Sequence, residues 1–184
     1  MRILGICGSL RKASYNRWLL TAAQGLVPAE MTLEIAEMHG IPVFDQDVQE
    51  AGDPEAVAAL KARVRDADGL LIATPEYNWG VPGPLKNTID WLSRPPKDSP
   101  LLRKPVALMG ATTGPWGTTR AQLALRQILL FPQMRVLPSP WVHVTMAKDK
   151  FGPDGALTDQ ATKDQLRELL AAFESWITQV TPRP

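Results

Sequence analysis

The chain has 184 residues and is 45% hydrophobic, which suits one domain with a full core and excludes global disorder. Twenty Lys and Arg offset 19 Asp and Glu, and a net charge of +1 lacks the basic excess of a nucleic-acid or anionic-membrane binder. One cysteine, Cys7, and two histidines, His39 and His143, exclude disulfide scaffolds, zinc fingers and cysteine-ligated clusters.

In chain order, Arg2 to Gly8 reads as a strand apolar on both faces, and it is too short an apolar run for a signal peptide. No run reaches the ~20 apolar residues of a membrane span, so the expected compartment is the cytoplasm. Ser14 stands as an N-cap before Trp18, Leu19, Ala22, Ala23 and Leu26, which recur at helical spacing. Met31 to Ala36 is a second strand. Asp53-Pro54-Glu55 reads as an N-cap, a proline at the first helical position and an early acid, ahead of the stripe Val57, Leu60, Val64 and Ala67. Gly69 to Thr74 is a third strand, and a helix from about Pro84 to Leu92 follows it.

Eleven of the 17 prolines lie between Pro75 and Pro140, so that stretch is expected to be rich in fixed turns. Within it, Pro105 to Ala111 reads as a fourth strand and Thr118 to Leu130 as a helix. Met134 to Val144 contains a fifth strand interrupted by Pro138 and Pro140. After Thr158-Asp159, the residues Leu166, Leu169, Leu170, Phe173, Ile177 and Val180 mark one face of a last helix. Strands alternating with helices predict an α/β fold: a five-stranded parallel sheet of flavodoxin-like order 2-1-3-4-5, covered by helices on both faces.

Ligands of such a sheet bind beyond the C-terminal strand ends, so the loops leaving strands one, three and four carry the functional reading. The first runs Gly8-Ser9-Leu10-Arg11-Lys12-Ala13-Ser14-Tyr15-Asn16. Ser9, Ser14 and Asn16 are short neutral donors, Arg11 is a charged fork, and the following helix offers unpaired N–H groups to a phosphate. Neither the triphosphate-loop spacing nor Gly-x-Gly-x-x-Gly is present, which favours a terminal monophosphate over a bridging pyrophosphate.

The second loop, Thr74 to Asn87, is held by Pro75, Pro82 and Pro84. Tyr77 and Trp79 supply flat apolar area beside Glu76 and Asn78, a combination that suits a planar heteroaromatic ligand. The third, Gly110-Ala111-Thr112-Thr113-Gly114-Pro115-Trp116-Gly117-Thr118, has small residues that let backbone approach a ligand. Cys7 reads as a small buried hydrophobe, and Trp18, Trp91 and Trp176 as core or subunit contacts. No Ser-His-Asp constellation or nucleophile elbow is present, which suits a cofactor that carries the chemistry itself.

At these loops the chain resembles the NADPH-dependent FMN reductase family, which includes quinone, chromate and azo-dye reductases. The resemblance rests on Gly8 to Asn16, on Pro75-Glu76-Tyr77-Asn78-Trp79-Gly80-Val81-Pro82-Gly83-Pro84-Leu85-Lys86-Asn87-Thr88-Ile89-Asp90-Trp91, and on Gly117 to Gln127. It implies one FMN-binding domain over residues 1–184, with the phosphate held by Ser9, Arg11, Ser14 and Asn16. The flavin ring is expected along Pro75, Glu76, Tyr77, Asn78 and Trp79, with Gly110, Ala111, Thr112 and Thr113 closing the other side.

The resemblance implies an oxidoreductase that passes hydride from NADPH or NADH through the flavin N5 to a small acceptor: a quinone, free flavin, azo compound or chromate. It also implies a homodimer or homotetramer with the flavin near a subunit contact. The alternative is a flavodoxin-type electron carrier without nicotinamide turnover. Such carriers are typically acidic, and the charge of +1 argues against one.

Overall fold

The computed structural model describes residues 1–181. Its sheet is built on three central strands, β1 (Arg2–Cys7), β3 (Gly69–Ala73) and β4 (Pro105–Ala111), flanked on one side by β2 (Thr32–Ala36). All pairs are parallel, with Ile3 opposite Gly69 and Leu70 opposite Val106. The order β2-β1-β3-β4 continues to β5 (Arg135–Val136), as the alternation of elements predicts.

The period-2 geometry of a strand sends neighbouring side chains to opposite faces, and here both faces are buried. Ile3, Cys7, Leu71, Ala73, Ala107 and Met109 point into one core, together with α1 (Tyr15–Gln24) and α6 (Gln160–Val180). Leu4, Ile6, Leu70, Ile72, Val106 and Leu108 point into the other, with α3 (Glu55–Asp66), α4 (Gly83–Leu92) and α5 (Thr119–Ile128). Leu166, Leu169, Leu170, Phe173 and Ile177 of α6 lie in the first core and Val180 lies half-buried outside it; Phe173 packs over Gly69 so closely that an added Cβ would sit 2.8 Å from its ring.

Several local expectations are corrected. The fifth strand is two pieces: β5 pairs with the start of β4, and β6 (Val142–Val144) pairs with its end. Pro138 and Pro140 lie in the gap, where neither can donate to a ladder. The helix expected from Thr118 to Leu130 spans Thr119–Ile128, because Thr118 is left-handed (φ 62°).

Asp53 does not cap α3; Pro54 holds that position. Both Asp53 carboxylate oxygens instead lie 2.7 Å from the Lys61 ammonium, which is almost fully buried and also donates to the Arg94 carbonyl at 2.6 Å. A buried ammonium without a carboxylate costs more than a missing cap, so the pairing wins. Ser14 stands at the N-cap position of α1, but its hydroxyl makes no capping bond.

A short helix, α2 (Gln46–Ala51), was not expected. It buries no side chain and therefore carries no apolar period; Asp45 starts it by accepting from the Asp47 N–H. The loop before it is gripped by α4. Asn87 accepts from Phe44 N–H and donates to the Pro42 carbonyl, which also receives the Trp91 indole N–H at 2.8 Å.

Candidate functional site

The C-terminal ends of β1, β3 and β4 converge on a cleft of about 120 Å3, an open groove smaller than a closed small-molecule pocket. Ser9, Arg11, Ser14, Tyr15 and Asn16 line one side, Pro75, Glu76 and Tyr77 another, and Ala111, Thr112 and Thr113 the third. Larger hollows lie at the opposite edge of the sheet, around Arg2 and Asp66 and around Lys104 and Arg135. There the helices present their C-terminal, negative ends, whereas α1 begins at the cleft and presents its positive end.

The first intrahelical bond of α1 runs from Trp18 N–H to the Ser14 carbonyl, so Tyr15, Asn16 and Arg17 precede it with helix-start N–H groups. The Ser14 hydroxyl is buried, and its neighbour is the Cys7 thiol at 4.0 Å, a weak partner. Arg11 is exposed and takes part in no ion pair among the described residues. A buried hydroxyl without a strong partner, a bare helix start and an unengaged guanidinium form a donor set that a phosphate satisfies. Pro75, Tyr77 and Ala111 add apolar surface beside it. These residues fit a monophosphate attached to a flat ring.

Asn16 sits in the cleft wall, but its side chain is engaged elsewhere. It donates to the Ala111 carbonyl and accepts from the Ala111 N–H, both at 2.9 Å, tying α1 to the end of β4. Glu76 likewise turns away from the cleft. Its carboxylate accepts from the N–H groups of Arg120 (2.9 Å) and Ala121 (3.1 Å) and from the Arg120 guanidinium (3.0 Å). It thus caps α5 from another loop, where Thr118 gives no side-chain cap.

Asn78, Trp79 and Gly110 do not line the cleft. Tyr77 and Gly80 exchange two backbone bonds across a tight turn, in which Asn78 (φ 50°) and Trp79 (φ 64°) are both left-handed and exposed. Gly110 serves close packing within the fold: a Cβ there would meet the Thr118 hydroxyl at 1.9 Å and the Thr74 carbonyl at 2.5 Å. Tyr15, which sequence reasoning left without a role, joins the wall, packed edge-on against Trp18 and tilted against Phe151.

The third loop is anchored from outside. Gly117 (φ 57°) leaves no room for a Cβ against His143, and its carbonyl lies 3.0 Å from His143 Nδ1. The Gln122 amide nitrogen reaches Thr118, the Val142 carbonyl and His143. Burial pushes the Cys7 thiol above its ordinary pKa, with the Ser9 carbonyl and Ser14 hydroxyl opposing the shift weakly. It is therefore a neutral group beside the Ser14 hydroxyl. Among the described residues no group of three or more His, Cys, Asp or Glu is placed to hold a metal ion.

Residues 1–149 match the model of the NADPH-dependent FMN reductase family. The chain belongs to that family. Among its relatives, an NAD(P)H-dependent FMN reductase of Pseudomonas aeruginosa is 43% identical over 180 residues, covering 98% of this chain and 97% of the relative. A quinone reductase of Escherichia coli is 42% identical over 183 residues, with the same coverage. The solved structure of FerB, a flavoenzyme NAD(P)H:(acceptor) oxidoreductase from Paracoccus denitrificans, superposes with a TM-score of 0.89 at 32% identity, covering 97% of this chain and 98% of that one. The protein is an oxidoreductase that works with FMN and reduced nicotinamide. The electron-carrier alternative finds no support in these comparisons.

Proposed function

We propose that the enzyme reduces small quinones at the expense of NADPH or NADH, with FMN seated in the cleft beyond β1, β3 and β4. The observation that carries this reading is the meeting of a bare helix start, the buried Ser14 hydroxyl and the apolar wall of Pro75 and Tyr77 in one cleft. FMN bound there supplies the redox centre that takes electrons from the nicotinamide and releases them to the acceptor.

The chain's own residues bind and orient. Ser9, Ser14, Arg11 and the N–H groups of Tyr15 and Asn16 hold the phosphate, with Asn16 contributing backbone and not its amide. Pro75, Tyr77 and the Glu76 backbone border the ring on one side, and Ala111, Thr112 and Thr113 on the other. Quinone reduction takes up one proton besides the hydride, which water reaching the open cleft supplies, so no protein acid is assigned to it. The relatives named as quinone reductases support a quinone as acceptor.

The apolar side chains Leu123, Leu130 and Phe131 lie exposed on and just after α5, which supports a homodimer or homotetramer. No helix among the described residues is long and apolar enough to cross a membrane, and we place the enzyme in the cytoplasm. Steady-state assays pairing NADPH and NADH with 1,4-benzoquinone, free FMN, an azo dye and chromate test the reading. Turnover that is fastest with the quinone is expected. Flavin-loaded protein that turns over neither nicotinamide would return it to the electron-carrier class.

A further inference from the structure

One ion pair stands at the same sheet edge as the cleft and has no part in the contacts assigned to the cofactor. Arg17 is the third residue of α1, and Glu37 follows directly on β2. β2 runs in register with β1, Ala36 opposite Ile6, so Glu37 emerges at the level of Cys7. The Arg17 guanidinium donates through Nη2 to Glu37 Oε1, and His39 Nδ1 lies 3.5 Å from Glu37 Oε2. The two side chains of the pair are 34% and 54% exposed, and an ion pair so placed adds little to folding stability. Its field nevertheless reaches the phosphate end of the cleft. Burial raises the Cys7 thiol most, but of the charges acting on that thiol Arg17 favours the thiolate and Glu37 opposes it. The thiol lies 4.0 Å from the Ser14 hydroxyl, so an anion held at Ser14 feels the same two charges.

We propose that Glu37 is a counter-charge that holds Arg17 away from the flavin phosphate and so sets how tightly the cofactor is kept. The proposal rests on the FMN seat at the start of α1 and deepens that reading. The Cα–Cβ bonds of a helix tilt towards its N-terminus, so an arginine in the first turn can fold back over an anion bound at the helix start. Arg17 also carries one of the helix-start N–H groups, which places its backbone at the phosphate while Glu37 draws its side chain towards β2. With Glu37 in place the two charges largely cancel at the phosphate, and the grip is left to Arg11, Ser9, Ser14 and the backbone. Without Glu37 a second guanidinium becomes free for the same phosphate. The tempered grip lets bound FMN exchange faster than a cradle with two free guanidinium groups would.

The test reads the phosphate contribution alone. Flavin-free protein is titrated with FMN and with riboflavin, in the wild type, Glu37→Gln, Arg17→Gln and the double variant. Riboflavin lacks the phosphate and reports any change in the shape of the seat. Glu37→Gln is expected to bind FMN roughly threefold to tenfold more tightly and to release it more slowly by a similar factor, with riboflavin affinity unchanged. Arg17→Gln, which leaves Glu37 unopposed, weakens FMN by a comparable factor, and the double variant returns close to the wild type. High salt narrows these differences. A Glu37→Gln variant that binds FMN no more tightly than the wild type would overturn the counter-charge and leave the flavin seat standing. So would variants that shift FMN and riboflavin alike, since a merely structural role moves both. Wild-type protein that binds FMN no better than riboflavin would overturn both.

Discussion

Asn16 and Ala111, 95 positions apart, exchange two hydrogen bonds of 2.9 Å through one buried amide. The pairing braces the start of α1 against the end of β4, and with them two walls of the cleft. Asn16→Ala orphans both backbone groups of Ala111 and is expected to cost about 2–4 kcal/mol in stability, with a parallel loss of FMN affinity. Urea unfolding with an unchanged slope and a lowered midpoint is the check. A variant as stable as the parent would deny the link.

Glu76 couples the second loop to α5 in the same manner. Glu76→Ala removes the acceptor for Arg120 N–H and Ala121 N–H and the ion pair with Arg120, so a loss of about 2–3 kcal/mol is expected. Glu76→Gln keeps an acceptor oxygen and is expected to lose less than half of that. Thermal unfolding of the two variants side by side measures the difference. Equal losses would assign the effect to charge alone.

The sheet order was legible because Ile3–Cys7, Gly69–Ala73 and Pro105–Ala111 are apolar at every position, as strands buried on both faces must be. The three loops were legible because their residue types advertise donors and flat surface. What was not legible is which way a side chain turns. Asn16 reads as a phosphate donor and Glu76 as a polar group beside the ring, yet their strongest partners are groups contributed by a distant strand and helix. Trp79 belongs to the motif, but the left-handed turn that swings it onto Arg120 has no glycine at either left-handed position to announce it. Gly110 reads as a place where the backbone approaches a ligand and instead admits the Thr118 hydroxyl.

Asp159 gives a pH-dependent contribution with a definite sign. Its carboxylate accepts from Thr162 N–H at 2.8 Å and from the Thr162 hydroxyl at 2.6 Å, and these bonds hold its pKa below the ordinary value. A carboxyl lowered in the folded state stabilises above its unfolded pKa, and that stabilisation fades as pH falls through the folded pKa. Asp159→Ala is therefore expected to be about 1 kcal/mol less stable near neutrality. The gap should close under acid conditions, below the usual aspartate range. Unfolding curves across that range measure it, and a gap independent of pH would contradict the ionic cap.

Cys7 is predicted to be inert in the folded protein. Burial raises its pKa, so near pH 8 it is a protected thiol and not a thiolate. Iodoacetamide followed by mass spectrometry is expected to label it only after denaturation. Rapid labelling of native protein would place the thiol in an open site.

Flavin binding in this cleft depends most on a monophosphate being gripped at the start of α1. Equilibrium titrations with FMN and with riboflavin, which differ only in that phosphate, measure the grip directly. FMN is expected to bind at least roughly a hundredfold more tightly, since two or more charge-assisted hydrogen bonds depend on the phosphate, and Arg11→Ala is expected to narrow the difference by about tenfold. Equal affinity for the two flavins, or an Arg11→Ala variant that discriminates as well as the parent, would contradict it.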